Sequence, residues 1–344
     1  MLYLENIILY SLKQINGERT IYAIYHLLNG KKSSQTIQDV HFFSLKRYFR
    51  LVETLTREGF DQLVHHLLEM DMIYSIGDGR FLLTDKGKQQ TNLDIPLNFL
   101  NGWEYHGLTF LFWERLSLFV QVISNIVYRE SQYIPIQKDK DIHKWLKNII
   151  KEIQVPKAEM GEHLYSEIIA CLDDGEINPF IIIPRLTGYQ QIGLTALQAA
   201  KRLNMEWSDY HLEFINGLHY MIQKIWHNKE RYYLLSFLLK HTPQQDSLTL
   251  TARKSYELLQ QGYTKEQIAK IRTLKLSTIE DHLVELALNV KEFSIDDYVD
   301  HELENQIIDV SRQTSTKQLK VIRNALKTVS YFQIRLVLAK RGDR

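Results

Sequence analysis

Cationic, hydroxyl and imidazole side chains are grouped near the C-terminal end of the chain, in a pattern suited to binding phosphate. Lysine and arginine donors, hydroxyls and helix-terminal N–H groups are the usual ligands of nucleic-acid phosphates. The group therefore predicts contact with a polyanion backbone. Its members are Arg253, Lys254, Arg272, Lys275, Ser277, Thr278 and His282.

A second group of the same kind lies near the N-terminus, where Lys31 and Lys32 are followed by Ser33 and Ser34. These residues form a basic, polar loop or the start of a helix, and phosphate contact is as plausible as simple solvation of a loop. His41, which follows, is more typical of a structural or capping role.

Two helices position the C-terminal group. Thr264 is the predicted N-cap of the first helix, and Gln267 follows three residues later, as in a capping box. After a break near Leu274, Ser277 or Thr278 is expected to cap a second helix. A helix, a tight turn and a helix make a helix-turn-helix, whose second helix enters the major groove N-terminus first.

That second helix is expected to pack on its neighbours through apolar residues at helical spacing, namely Ile279, Leu283 and Leu286. Its N-terminal residues carry two acids, Glu280 and Asp281, which disfavour tight reading of bases and favour contact with the backbone.

Local charge supports the grouping, although the whole chain has a formal net charge of only +1. Residues 253–275 contain six Lys/Arg against two Glu, and residues 312–344 contain nine against one Asp. Basic segments on both sides of a helix-turn-helix favour DNA contact over a solvated helical face.

The N-terminal segment predicts a winged helix. Thr56 caps a helix with an apolar face, and "MIYSI", "GDGR" and "FLLT" then indicate a β-hairpin with a glycine-containing turn. Arg80 at the tip is either a backbone contact of the wing or a plain turn residue.

This segment resembles the RQC winged-helix domain of RecQ-family helicases. The resemblance covers about 80 residues and rests on order and spacing. It implies a DNA-binding or docking module, with contacts at Lys31, Lys32, Ser33 and Ser34 and, with less support, His41 and Arg57. The matching residues are Leu28, Gly30, Ser33, His41, Leu83, Thr84 and Gly87.

The C-terminal segment contains a second set of residues at the spacing of a known motif. They are Thr251, Leu258, Leu259, Gly262, Ile268, Ala269, Arg272, Ser277, Thr278, Ile279, His282 and Leu283. On these residues the segment resembles the helix-turn-helix domain at the end of some RecQ-type helicases. The chain as a whole resembles the YpbB-type proteins of Gram-positive bacteria, which implies a partnership with a separate RecQ-like helicase.

Composition sets the fold class and removes several function classes. With 344 residues, 15 Gly and 6 Pro, we expect a mainly α protein in three parts: a winged helix (1–92), a helical scaffold (93–242) and a helix-turn-helix domain (243–344). One cysteine excludes internal disulfides. No phosphate loop, nucleophile elbow, metal-ligand spacing or cofactor motif is present, so we expect a non-enzyme without cofactors.

The middle segment is predicted to be scaffold. Its many aromatic residues have few interleaved cations, which favours a core over base stacking. An Ala-rich helix, a turn at Asn204 and a following helix suggest a third helix-turn-helix, but Asp209, His211 and Glu213 are poor phosphate ligands. No continuous apolar run predicts a membrane span, so a cytoplasmic, nucleoid-associated protein is expected.

Three functions fit the sequence, and we predict the first of them because Glu280 and Asp281 disfavour tight reading of bases. The first is a DNA-binding accessory protein that works with a RecQ-like helicase in DNA repair or recombination. The second is a helix-turn-helix transcription regulator with a helical dimerisation core. The third is a protein–protein scaffold that no longer binds DNA, which the small net charge allows.

Overall fold

The computed structural model describes residues 2–92, 95–242, 248–314 and 319–341. The fold is mainly α, as predicted, with a two-stranded antiparallel hairpin as its sheet. In chain order the elements are α1 (Tyr3–Ile15), α2 (Tyr22–Leu28), α3 (Ser34–Phe42), α4 (Arg57–Glu69), β1 (Ile73–Gly77), β2 (Arg80–Leu83), α5 (Asp85–Gln90), α6 (Gly102–Tyr105), α7 (Thr109–Val127), α8 (Lys140–Glu152), α9 (Met160–Leu172), α10 (Ala196–Arg202), α11 (Trp207–His227), α12 (Tyr233–Ser236), α13 (Leu250–Gln260), α14 (Lys265–Ile271), α15 (Leu276–Asn289), α16 (His301–Gln313), α17 (Leu319–Leu326) and α18 (Tyr331–Arg341).

The chain divides into two compact units, and one of them is discontinuous in sequence. Unit 1 contains Met1–Ile7 and Leu93–Gln244, and unit 2 contains Ile8–Asn92 and Gln245–Arg344. Residues 8–92 of the first predicted part and residues 245–344 of the last therefore belong to the same unit, while residues 1–7 belong to unit 1. The division into three parts by sequence stays a prediction, and residues 243–247 of its expected linker lie outside the described residues.

The N-terminal half of unit 2 is a winged helix formed by α2, α3, α4 and the β1–β2 hairpin. Thr56 caps α4 by accepting the Gly59 N–H at 3.1 Å, as predicted. The hairpin turn has Asp78 and Gly79 in the left-handed region, with φ values of 51° and 68°. The Ile21 N–H donates to the Gly79 carbonyl at 2.9 Å, which ties the turn to the start of α2.

The C-terminal half of unit 2 is built around α15. Helices α13, α14 and α18 pack against it, and so does α3 of the winged helix. Because α3 also contacts α18, the winged helix and the C-terminal helices bury a shared surface.

Unit 1 has its core between α7, α9 and α11. Phe112, Phe119, Tyr210 and Phe214 are all buried there. Among the described residues, α7 has the length and composition of a membrane span, but half of that stretch is buried inside the fold. Helix α7 is thus placed as a core helix of unit 1.

A buried histidine of unit 1 has neutral hydrogen-bond partners. His219 on α11 accepts the Asn101 N–H at 3.0 Å through Nδ1, and its Nε2 lies 2.8 Å from the Thr109 hydroxyl. Burial lowers the pKa of His219 to about 3, so the ring stays neutral at physiological pH.

Candidate nucleic-acid interface

The first helix of the predicted helix-turn-helix begins as expected. Thr264 accepts the Gln267 N–H at 3.3 Å, and the Gln267 side chain accepts the Thr264 N–H at 2.8 Å. The capping box is therefore confirmed. The turn that follows has Thr273 at a φ of 52°, and the Leu274 N–H donates to the Ala269 carbonyl at 2.9 Å.

The second helix begins earlier than predicted. Its N-cap is Lys275, and Ser277 and Thr278 lie inside its first turn. The prediction that Ser277 or Thr278 caps this helix is therefore wrong. The lysine side chain has no acceptor for the first amides, so no side-chain cap covers this helix start.

This first turn is open to solvent, with Lys275, Leu276 and Ser277 exposed and Thr278 half-buried. The helix dipole and the N-terminal amides favour an anion at such a position. A flexible ammonium group at the cap and two hydroxyls behind it add donors to the same spot.

Arg272 lies at the end of α14 and is bound within the fold. Its guanidinium donates to the Thr251 carbonyl at 2.6 Å and to the Ser255 hydroxyl at 2.5 Å. It therefore joins α13 to α14, and contact of Arg272 with DNA stays a prediction. Burial lowers the pKa of Arg272 from its usual value.

His282 is part of the same network and is only 6% exposed. Its Nδ1 lies 2.9 Å from the Ser255 hydroxyl. Burial, followed by the nearby charge of Arg272, lowers the pKa of His282 to about 4. Burial and neutrality of the ring disfavour contact with phosphate, and the predicted DNA contact of His282 stays a prediction.

The two acids at the start of α15 are engaged in ion pairs. Glu280 accepts from Lys265 at 2.9 Å, and Asp281 accepts from Arg335 on α18. Both carboxylates therefore stabilise packing within unit 2 and are not free to read bases.

Most of α15 is covered. Ile279 and residues 282–287 are buried, and Ile279, Leu283 and Leu286 form the predicted apolar face. Since α3, α13, α14 and α18 surround the helix, it cannot lie along a major groove in this arrangement. The exposed part of this helix is its first turn, and entry of the helix into a groove stays a prediction.

The N-terminal candidates lie beside α3, in the same unit. Lys31 and Lys32 are exposed. Ser33 is the N-cap of α3 and accepts the Thr36 N–H at 3.2 Å, and the Ser34 hydroxyl accepts from Gln38 at 3.0 Å. The two serines thus hold the start of α3, which leaves the lysines as the exposed donors of this group.

The charge of Lys32 acts on Glu285 of α15. Burial raises the pKa of Glu285, while hydrogen bonds from Thr249 and the charge of Lys32 partly offset that rise. The structure therefore brings the N-terminal and C-terminal basic groups into one unit, which their separation in sequence gave no reason to expect.

The remaining cations differ in their surroundings. Lys254 is exposed, Arg253 is half-buried, and Arg80 pairs with Asp78 at 3.4 Å. Arg57 is 65% exposed and stacks over Tyr22 at 4.1 Å. His41 is buried, and burial lowers its pKa to about 3, which agrees with a structural role.

A polar cavity of about 570 Å³ in unit 2 was not foreseen from the sequence. It joins the winged helix to the C-terminal helices and mixes both signs of charge, so it resembles an internal ion-pair layer more than an anion site. Its charged lining residues are Glu18, Arg19, Asp39, Arg80, Asp281, Lys320 and Arg335. Within the described ranges, no three His, Cys, Asp or Glu side chains are grouped so as to hold a metal ion.

The fold and this helix start define a helix-turn-helix protein. Residues 251–338 match the protein family described as a helix-turn-helix domain. The chain is 34% identical over 351 residues to protein YpbB of Bacillus subtilis (strain 168), with 98% of this chain and 97% of that protein covered. The chain therefore belongs to the YpbB family. No solved structure matches it, and the likeness of residues 1–92 to the RQC domain stays a prediction.

Proposed function

We propose that this protein is a non-enzymatic, DNA-binding accessory protein that holds the DNA backbone end-on through the first turn of α15. The observation that carries the proposal is the exposed start of α15, which has Lys275 at its N-cap and no side-chain cap. Lys275, Ser277 and Thr278 would supply phosphate contacts there.

The charge of the unit supports this assignment. Unit 2 contains 27 Lys/Arg against 23 Asp/Glu, a net charge of +4, whereas unit 1 contains 15 against 18, a net charge of −3. The exposed residues Lys31, Lys32 and Lys254, together with half-buried Arg253, are further candidate contacts of unit 2. Backbone contact of this kind is independent of base sequence.

Because most of α15 is buried, binding directed by the structure of the DNA is favoured over recognition of an operator sequence. A transcription regulator needs several side chains at base edges, and Glu280, Asp281 and His282 are held inside the fold. An accessory protein of DNA repair or recombination needs instead to hold forks, ends or junctions. We propose cytoplasmic, nucleoid-associated localisation on the same basis.

We further propose that the partner is a RecQ-like helicase, to which this chain supplies winged-helix and helix-turn-helix modules in trans. The resemblance of both modules to domains of RecQ-type helicases, which the sequence motifs predict, is the basis of this proposal. It is tested by co-purification from the native host with a tagged full-length chain. Absence of any helicase among the retained proteins would remove the helicase from the proposal and leave DNA binding to be judged separately.

DNA binding is tested by fluorescence anisotropy with forked, duplex and single-stranded DNA over a range of salt concentrations. Lys275→Glu should weaken binding by about 10-fold and reduce the salt slope on duplex DNA by about 0.9 for each lost contact. Lys291→Glu makes the same change of charge at another exposed lysine of unit 2 and serves as the control.

Equal effects of the two substitutions would contradict a specific role for the start of α15. A preference of about 10³-fold for one base sequence would instead identify an operator-binding regulator. Circular dichroism of both variants checks that the fold is kept.

A further inference from the structure

Helix α8 of unit 1 carries a straight row of lysines. Lys140, Lys144, Lys147 and Lys151 are all exposed. Their spacing of four, three and four residues places them within an arc of about 60° on one face of the helix, since each residue turns by about 100°. The row is about 16 Å long at a rise of about 1.5 Å per residue.

The opposite face of α8 is fixed in the core of unit 1, where Ile142, Trp145, Leu146 and Ile149 are buried. The row is therefore held at one orientation and is not free to turn inward. In the part of the chain that the structure describes, no carboxylate lies within ion-pair distance of these four ammonium groups. Four like charges in a row without partners favour a polyanionic ligand.

An extended segment before α8 forms a wall beside the row. The buried side-chain amide of Gln121 on α7 donates to the Ile134 carbonyl at 3.0 Å and accepts the Ile136 N–H at 2.8 Å. These two hydrogen bonds hold the segment as a neighbouring strand would hold it. Ile134, whose carbonyl accepts the first of these bonds, is 88% exposed, which is unusual for a side chain on a fixed segment.

Between this wall, α7 and α8 lies a cavity of about 300 Å³. Leu118, Val122, Pro135, Leu146 and Ile150 supply most of its lining. Its size is at the lower end of ligand pockets, about 300–1,000 Å³, and suits one or two apolar side chains. Lys147 belongs both to the lysine row and to the lining, so the apolar and the basic features form one continuous surface.

We propose that this surface, the lysine row of α8 and the adjoining cavity, binds an acidic peptide segment of a partner protein, with one apolar side chain of that segment in the cavity. Carboxylates every second residue of an extended chain, about 6.6 Å apart, match lysines that are 4.5–6 Å apart along the helix axis. An apolar anchor in a preformed pocket, flanked by complementary charge, is the usual design of a peptide-binding site.

Two observations favour a peptide over nucleic acid. Five of the eight lining residues of the cavity are aliphatic or proline, and its two aromatic members, Tyr133 and His143, are half-buried. Base binding needs exposed aromatic faces. Unit 1 also has a net charge of −3, so a long polyanion would be repelled outside the row, while a short acidic segment would not. The inference does not depend on DNA binding by unit 2.

The test uses the full-length chain and fluorescein-labelled 10-residue peptides that contain five alternate Asp or Glu residues and one Phe or Leu at the N-terminal, central or C-terminal position. At least one peptide should bind, and replacing its apolar residue by Ser should weaken binding by about 5-fold or more. Lys144→Glu/Lys147→Glu should weaken the same peptide by about 10-fold or more.

Lys201→Glu/Arg202→Glu, an equal change of charge at exposed cations of α10, is the matched control and should leave peptide affinity unchanged. Failure of all three peptides to bind, or equal losses with both double variants, would overturn the proposal. Loss of affinity for a labelled 20-base-pair duplex in Lys144→Glu/Lys147→Glu, with peptide affinity unchanged, would assign the row to nucleic acid and overturn it as well.

Discussion

Two helix-turn-helix segments, α10–α11 in unit 1 and α14–α15 in unit 2, have the same local geometry and opposite chemistry. Each begins with a Thr-x-x-Gln capping box, at Thr195 and at Thr264. Nine residues after each cap comes a left-handed turn residue, Asn204 with φ 53° and Thr273 with φ 52°. The third predicted helix-turn-helix is thus present as a fold, although the sequence favoured a scaffold role for it.

The two segments differ where a ligand would meet the second helix. The N-cap of α11 is Glu206, and that of α15 is Lys275. Three residues after these caps, Asp209 accepts the Tyr3 N–H at 2.8 Å, while the equivalent Thr278 lies half-buried in the exposed first turn of α15. The same backbone therefore serves packing in one unit and is open to an anion in the other, so fold alone does not assign DNA binding.

Removal of matching core side chains should have the largest effect on the α10–α11 and α14–α15 segments. Phe214→Ala and Leu283→Ala each remove a buried residue nineteen positions after the capping Thr. We expect losses in free energy of unfolding of about 3–5 kcal/mol for the Phe and about 2–5 kcal/mol for the Leu. Hydrogen exchange read by mass spectrometry should show each loss in the unit that holds the residue. A small effect at either site would mean that its segment is not part of a core.

Buried titratable groups on α11 and α15 should make the free energy of unfolding change with pH in opposite directions. The pKa of Glu213 on α11 is raised by burial, so its contribution to stability falls as pH rises above the usual carboxyl range. The pKa of His282 on α15 is lowered to about 4, so stability is lost as pH falls from about 6.5 towards 4.

Comparison with Glu213→Gln and His282→Gln isolates these contributions. For His282→Gln, we expect the difference in free energy of unfolding from the native chain to change by about 1.4 kcal/mol per pH unit at most between about pH 4 and about pH 6.5. Urea unfolding between pH 4 and pH 7.5 measures it. If the stability difference of both variants from the native chain changed with pH in the same direction, the protonation states assigned to Glu213 and His282 would be wrong.

The helix crossings should differ in their tolerance of added volume. Ala200 is fully buried between α10 and α11, whereas its equivalent, Ala269, is half-buried. We expect Ala200→Leu to cost about 1–3 kcal/mol through overpacking and Ala269→Leu to cost less than about 1 kcal/mol. Thermal unfolding of the two variants is the measurement, and the reverse order would show that α14 is packed more tightly than its exposure indicates.

Removal of the N-cap hydroxyls of α10 and α14 should have the smallest effect on stability, and it separates an effect on stability from an effect on DNA binding. Thr195→Ala and Thr264→Ala each remove a capping oxygen, and each should cost about 1 kcal/mol. Only Thr264→Ala should also weaken DNA binding, because α14 holds the turn that presents Lys275. An equal loss of DNA affinity with Thr195→Ala would show that the two segments act together.

Local sequence signals predicted local structure well. The Thr264 capping box, the Thr56 cap and the 73–83 hairpin follow from interactions within a few residues, and the structure confirms each. The start of α15 was placed late because Ser277 and Thr278 are better capping residues than Lys275, and the turn at Thr273 decided the boundary instead.

The site was harder to predict because it depends on contacts far apart in sequence. The packing of α3 on α15 joins segments about 240 residues apart, and no periodicity reports such a pairing. Without it, Arg272 and His282 look like cations of an open groove, while in the structure they hydrogen-bond to Ser255. Amphipathic spacing shows that a residue lies on a polar face but not which helix covers that face.

The discontinuity of unit 2 has a consequence for biosynthesis. Residues 8–92 leave the ribosome first, but their partner surface on α15 and α18 is made only after all of unit 1. At about 5–20 residues per second, the winged helix waits for roughly 10–50 s with the α3 surface unpaired. During that interval it is exposed to chaperones and to premature association. Non-local pairing of this kind also slows folding, so completion of unit 2 determines when the nascent chain can first bury the α3 surface.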